Sequence, residues 1–314
     1  MVSVMDGVCS DMKDHLCNTK RKSVVVLFLL ICIIIGNVSA VPSDPRGIIL
    51  ISWDGISKDT LQNLLETGSL PHLSSLLKNG SFINISITDH YPDTMAGHAQ
   101  ILTGYSPEQT GVFKSMRYGE IPHGMTVFER LEDAFGSGNI STAIVASQER
   151  SLGTLKGLPF YHAGKVVDYY YDRNSDAGLV GSVASESVYH FGSLGRFFIF
   201  AHFRDAADAG YAYGAGSPQQ ITAIQEIDEA TGNILKALKD LGISDKTVLY
   251  VTTDHGFNTG PKDHTGQISL WMVTNEPGYN LTGDQKDITP TILKRLGVSY
   301  DEMNPSYNAT ALNP

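Results

Sequence analysis

Gly47-Ile48-Ile49-Leu50-Ile51-Ser52-Trp53-Asp54-Gly55 is a near-continuous apolar run that ends in a carboxylate. Runs of this kind belong to strands buried on both faces of a parallel sheet. Asp54 then stands at the carboxyl end of its strand, where open α/β sheets place their ligands. Asp54-Gly55 also fits a plain turn. The pattern recurs at Arg196 to Phe203, which empties into Arg204, Asp205 and Asp208, and at Thr247 to Thr252, which runs into Thr253-Asp254-His255-Gly256. Ile268 to Val273 reads as a fourth strand, and Ser81 to Ile87 and Ser141 to Ala146 as shorter ones. Between them, helical spacing covers Lys58 to Glu66, Leu73 to Lys78, Thr126 to Phe135 and Ala184 to His190. It also covers a long segment marked by Ile221, Ile224, Ile227, Ile234 and Leu238 and closed by Gly242, and a last helix begins near Asp287. Strands alternating with helices predict an α/β fold, a doubly wound and mostly parallel sheet with helices on both faces, in one domain over residues 41–314.

The stretch Asp89 to Gly104 sets a hydroxyl between a proline turn and an apolar helix start. Pro92 favours an extended residue before it, Asp93 is a good N-cap, and Ala96 to Leu102 has the composition of a buried helix. Thr94 would sit at the positive end of that helix, where unpaired N–H groups and the macrodipole favour an alkoxide or an anionic oxygen. An Asp-Thr pair before a helix is also an ordinary cap.

If the three apolar strands run parallel, their ends gather Asp54, Asp205 or Asp208, and Asp254-His255 along one edge of the sheet. Carboxylates and imidazoles collected beside a hydroxyl are oxygen and nitrogen donors suited to a divalent ion such as zinc or manganese. Such an ion could lower the pKa of Thr94 and polarise a phosphoryl oxygen. Taken singly, Asp254-His255-Gly256 fits a strand-ending turn, His264 an exposed loop histidine, and His98 a packed helix residue. From Arg150 to Asn174 the chain is tyrosine-rich without clear period, as in a loop over the site. Tyr161, Tyr169, Tyr170 and Tyr171 there could stack on a base or a sugar, or simply pack.

The 314 residues carry a formal charge of −10 and 42 % hydrophobic content, enough for a sizeable core and unfavourable for nucleic acid, so no duplex binding is expected. Lys20, Arg21 and Lys22 precede the apolar run Val24 to Ile35, and Val38-Ser39-Ala40 supplies small residues for cleavage. The run is short of the roughly 20 residues of a bilayer span. Residues 1–40 therefore read as a signal peptide, with an N-terminal membrane anchor as the alternative, and the rest as secreted or displayed at the cell surface. All three cysteines (Cys9, Cys17, Cys32) lie in that leader, which leaves the exported part without a disulfide. Asn84-Ile85-Ser86, Asn139-Ile140-Ser141, Asn280-Leu281-Thr282 and Asn308-Ala309-Thr310 fit the glycosylation pattern.

Ile48 to Gly55, Pro92 to Gly111, Asp208 to Leu238, Val251 to Gly256 and Asp287 to Gly297 together resemble the alkaline phosphatase superfamily, and within it the type I phosphodiesterase and nucleotide pyrophosphatase branch. The resemblance implies a metal held by Asp54, Thr94, Asp254 and His255, and a second metal for which His264, in Asp263-His264-Thr265-Gly266, is one ligand. It implies that Thr94 attacks phosphorus and forms a covalent phosphothreonine. It also marks a departure: aligned through Gly210 and Tyr213-Gly214, Ala207 falls where the second metal's Asp belongs, Tyr211 where its His belongs, and Gly97 where the family's oxyanion-holding Asn belongs. Asp205 or Asp208 could stand in for the missing carboxylate.

Three readings follow. The first is an exported hydrolase of small phosphoesters with zinc or another divalent metal, one site complete and the second doubtful. The second is a member with weak or lost catalysis that binds an anionic ligand or a surface partner. The third is a sulfate- or phosphonate-ester hydrolase, for which the chain lacks the Pro-Ser-Arg context of sulfatases. Oligomeric state is not legible.

Overall fold

The computed structural model describes residues 44–148, 152–258 and 263–313. The leader, its cysteines and the Arg150 end of the tyrosine-rich segment lie outside the described residues. In chain order the elements are β1 (Gly47–Trp53), α1 (Lys58–Glu66), α2 (Pro71–Leu77), β2 (Ser81–Ser86), α3 (Thr94–Thr103), α4 (Pro107–Thr110), α5 (Val127–Phe135) and β3 (Ser141–Ala146). There follow α6 (Ala163–Val166), β4 (Tyr169–Asp172), α7 (Ala177–Leu194), β5 (Phe197–Phe203), α8 (Asp205–Tyr213), α9 (Pro218–Asp240), β6 (Thr247–Thr252), β7 (Ser269–Thr274), β8 (Thr282–Asp284) and α10 (Ile288–Arg295). Among the described residues no helix is long and apolar enough to cross a membrane.

One eight-stranded sheet has the order β4-β3-β5-β1-β6-β7-β2-β8. Strands β4, β3, β5, β1 and β6 pair in parallel, as the apolar runs require. Along β1 the side chains alternate between two cores: Ile48 and Leu50 pack with α3, α5 and α10, and Ile49, Ile51 and Trp53 pack with α1, α7 and α9. Helices cover both faces, and for that reason the strand is apolar at nearly every position. The fourth expected strand, β7, is antiparallel to β6 and to β2. A parallel return needs a crossover, usually a helix, and the segment between β6 and β7 carries no helix among the described residues.

The central register places the site. Ser52 of β1 lies opposite His202 of β5 and Thr252 of β6, so the three strands end level with one another. The next residues, Asp54, Arg204 and Thr253-Asp254, leave the sheet side by side. The expected loop over Arg150 to Asn174 instead contains α6 and the edge strand β4, which takes Tyr169, Tyr170 and Tyr171 to the far side of β3. Tyr170 packs on one core and Tyr171 on the other, so these tyrosines are sheet residues.

Two local features depend on distant chain. Helix α2 has no side-chain cap of its own at Leu70; Asp228 of α9 supplies one, its two oxygens accepting from His72 N at 2.9 Å and Leu73 N at 2.7 Å. On α3, a Cβ at Gly97 would lie 2.5 Å from the Asp254 carbonyl oxygen, so only glycine lets the helix approach the end of β6 this closely. Asp228→Ala is therefore expected to lower stability by about 1–2 kcal/mol through loss of the cap, with the fold retained; an unchanged thermal midpoint would contradict this. Gly97→Ala should cost about 1–3 kcal/mol from forced backbone movement, again read as a fall in the unfolding midpoint.

Candidate metal centre

Asp54 follows β1, and its backbone N–H donates to Phe203 O of β5 at 2.9 Å. Gly55, at φ +70°, turns the chain so that its N–H meets Asp254 Oδ1 at 3.1 Å, and Ile56 N meets Thr253 Oγ1 at 3.3 Å. The ends of β1 and β6 are thus tied together by the turn that follows Asp54. Gln285 ties the end of β6 to the segment before α10, its amide donating to the Asp254 carbonyl at 2.9 Å. As the sequence predicts, Asp93 caps α3 by accepting from Ala96 N at 3.0 Å, and Thr94 is the first residue of the helix.

Asp54, Asp254 and His255 are all fully buried and offer ligand atoms within 4.8 Å of one another. Each carboxylate has one oxygen engaged by the protein and one left over. Asp254 Oδ1 accepts from Gly55 N and His255 N, while Asp54 Oδ2 accepts from His202 Nε2 at 3.2 Å. Asp54 Oδ1 and Asp254 Oδ2 are buried without a hydrogen bond. Both lie beside His255 Nε2, at 3.3 and 3.6 Å. His255 donates from Nδ1 to Gly256 O at 2.8 Å, which orients the ring and aims Nε2 at the same point. Two spare buried carboxylate oxygens and an oriented imidazole nitrogen fit a divalent cation with zinc-like ligand preferences.

Thr94 Oγ1 lies at the mouth of this group, 3.4 Å from Asp54 Oδ2 and 3.3 Å from His255 Nε2. His98, one turn on, is packed beneath it. Burial, then the neighbouring His202, lowers His98 to about 3 and keeps it neutral. Its Nδ1–H donates to Thr94 O at 2.7 Å, so Nε2 accepts from the Ser52 hydroxyl at 2.9 Å. The electrostatics of the centre follow from buried charges at close range. Burial would raise Asp54, but bonding to His202 and His255 outweighs it and holds the carboxyl well below its usual range. Burial and then the Asp54 charge raise Asp254 to about 6. Burial alone would depress His255, yet Asp254 and Asp54 drive it to about 9. Two carboxylates here demand positive charge.

His264 stands next to this group, its ring 4.5 Å from that of His255, with Nδ1 buried and unpartnered. Among the described residues neither Asp205 nor Asp208 is brought to it. Asp205 Oδ1 accepts from Ala177 N at the start of α7, and Asp208 is mostly exposed and paired with Arg204 at 2.8 Å. Neither replaces the missing ligand. Ala207 lies against the site, 3.1 Å from where a Cβ on Gly55 would be, and the Tyr211 ring lies 6.2 Å from that of His264. His202, a buried strand residue that the sequence pattern does not single out, is aimed at Asp54 by the parallel pairing of β5 with β1.

A cavity of about 1000 Å³ opens beside Thr94. Its wall carries Lys114, Ser115 and Arg204 together with Tyr91, Met116, Tyr118, Leu155 and Tyr211, of which Met116 is 89 % exposed and Leu155 60 %. A wall that mixes cationic and polar groups with apolar side chains suits a ligand with an anionic head and an apolar or aromatic remainder.

The description "Type I phosphodiesterase / nucleotide pyrophosphatase" matches residues 48–133 and 171–310. Similar proteins include a mouse bis(5'-adenosyl)-triphosphatase, 25 % identical over 293 residues that cover 87 % of this chain and 60 % of the relative. Human ectonucleotide pyrophosphatase/phosphodiesterase family member 5 is 22 % identical, over 90 % of this chain and 58 % of the relative. The chain thus spans about 60 % of the length of such curated relatives. Among solved structures, murine ectonucleotide pyrophosphatase/phosphodiesterase 5 superposes with a TM-score of 0.59 at 13 % identity, covering 80 % of this chain and 95 % of that one. A TAB5 alkaline phosphatase mutant gives a TM-score of 0.61 at 13 % identity, covering 82 % and 99 %. At these identities the structural likeness is one of fold. The two matched segments hold Asp54, Thr94, Asp254, His255 and His264 and make up most of the chain, which belongs to the type I phosphodiesterase/nucleotide pyrophosphatase family.

Proposed function

We propose that the chain is a metal-dependent hydrolase of small phosphoesters that works through a phosphothreonine at Thr94. The observation that carries this reading is the Thr94 hydroxyl, 3.3 to 3.4 Å from a buried group whose spare oxygens suit a divalent ion. Asp54, Asp254 and His255 would hold the ion, zinc or manganese being suited to their oxygen and nitrogen donors, and Thr94 would join them as a ligand. When bound, the ion lowers the pKa of the Thr94 hydroxyl and screens the phosphoryl oxygens. His264 would be the one protein ligand left for a second ion, since Ala207 and Tyr211 stand where its other donors belong.

The remaining steps belong to the chain. Thr94 loses its proton to the solvent of the cavity, and its Oγ1 attacks phosphorus. The phosphorus–oxygen bond to the leaving group breaks, and the departing alkoxide takes a proton from water. A water molecule then cleaves the bond between phosphorus and Oγ1, restoring the hydroxyl. The positive end of α3 favours the developing charge on Thr94 and the bound oxygens. His98 fixes the backbone of Thr94, and His202 orients Asp54. The leader would carry the protein out of the cytoplasm, as its basic residues and apolar run suggest. The empty donor positions at Ala207 and Tyr211 favour one alternative, a member that binds an anionic ligand with little or no turnover.

Thr94→Ala should abolish hydrolysis of p-nitrophenyl phosphoesters while one zinc per chain is still held through Asp54, Asp254 and His255. A wild-type protein with bound zinc and no turnover on any such ester would select the alternative instead. Asp54→Ala and Asp254→Ala should each weaken zinc binding by more than about 100-fold, since each removes a charged ligand. Metal titration by calorimetry reads this directly, and unchanged stoichiometry and affinity in both variants would refute the ligand assignment.

A further inference from the structure

The cavity beside Thr94 contains a positive charge that the metal centre leaves unexplained. Arg204 follows β5, directly precedes α8, and lines the cavity with Thr94, Ser115, Tyr211 and His264. Its side chain is 24 % exposed. Nε donates to Asp208 Oδ1 at 2.8 Å, one helical turn on. Among the described residues Asp208 is its only ion-pair partner, and the two terminal nitrogens donate to none of them. Burial opposes the charge, but Asp54 and then Asp208 more than offset it and keep the guanidinium protonated. Arg204 thus feels the Asp54 carboxylate without forming an ion pair with it, and it lines the same cavity as Thr94.

The same stretch of chain is where donors are missing. Ala207 and Tyr211 lie on α8, one and two turns beyond Arg204, and neither can hold an ion. A phosphoryl group docked against Thr94 would then lack positive charge on that side. A guanidinium suits the need: it stays charged, and its planar fork donates paired hydrogen bonds to two oxygens of one phosphoryl group. We propose that Arg204 binds the non-bridging oxygens of the phosphoryl group attacked by Thr94, in place of the second metal ion, and that Asp208 fixes the orientation of its fork. The proposal rests on Thr94 being the phosphoester site. It assigns the chain a site of one ion and one arginine, open to any phosphoryl group with two free oxygens.

The test is calorimetric titration of inorganic phosphate into the full chain loaded with zinc. Arg204→Ala should raise the phosphate Kd about ten-fold or more, the equivalent of about 1.4 kcal/mol, with zinc affinity unchanged. Arg204→Lys should recover part of the loss, because it restores the charge without the fork. Asp208→Asn should weaken phosphate by a smaller factor, about two- to three-fold. Should Arg204→Ala not fold, Arg204→Gln removes the charge and keeps a polar side chain, and the same ten-fold loss is expected of it. A phosphate Kd unchanged in the variant that folds overturns the proposal and leaves the Thr94 reading standing. Loss of zinc together with phosphate overturns it as well, because Arg204 would then support the metal centre. A wild-type chain that takes zinc but no phosphate also overturns it, and the Thr94→Ala and zinc measurements decide the hydrolase reading separately.

Discussion

Asp54 and Asp254 are two carboxylates held together with no exposure to water. Buried like charges are tolerated only when something positive or hydrogen-bonding faces them, and the surrounding structure reads as the answer to that demand. One oxygen of each is taken by backbone N–H groups or by His202, and the other is turned towards His255. Each carboxylate is therefore fixed at two ends: by the strand that carries it and by a bond from a neighbouring strand. This arrangement is stiff, and a stiff donor set is what a metal site needs.

Helix α3 is held to the same standard. It meets the end of β6 at Gly97, where any side chain would strike the Asp254 carbonyl, and His98 bonds back to the Thr94 carbonyl. The position of the Thr94 hydroxyl is set by backbone packing against the carboxylates, and the hydroxyl needs no flexible segment to reach them. Opposite it the wall changes character. Helix α8 presents Ala207 and Tyr211; near its start Arg204 and Asp208 are bonded to each other, and Asp205 is turned to the start of α7. One half of the pocket is a set of anionic donors, and the rest of its wall sets Lys114 and Arg204 among apolar side chains. Under the proposed one-ion reading, that asymmetry would leave part of a ligand's charge to be met by protein.

The sequence by itself determined the parallel centre of the sheet and which groups stand at its strand ends. Apolar runs over Ile48 to Trp53, Phe197 to Phe203 and Val248 to Val251 have one stable use, as parallel strands covered on both faces, and the level ends of such strands bring Asp54 and Asp254 together. Asp93 before an apolar helix announced the cap under Thr94. Three things were decided only by tertiary structure. The direction of β7 depends on the path of a loop, which hydrophobic pattern does not encode. The fate of Tyr169 to Tyr171 depended on whether β3 would accept an edge partner. The roles of His202, Asp205 and Arg204 depended on side-chain direction, since neighbours along a chain leaving a strand point to different sides. His202 turned to Asp54, Asp205 to the start of α7, and Arg204 to the cavity. Composition and spacing name the chemical groups a chain can bring to a site; which of them face one another is fixed by strand register and packing between residues far apart in the chain.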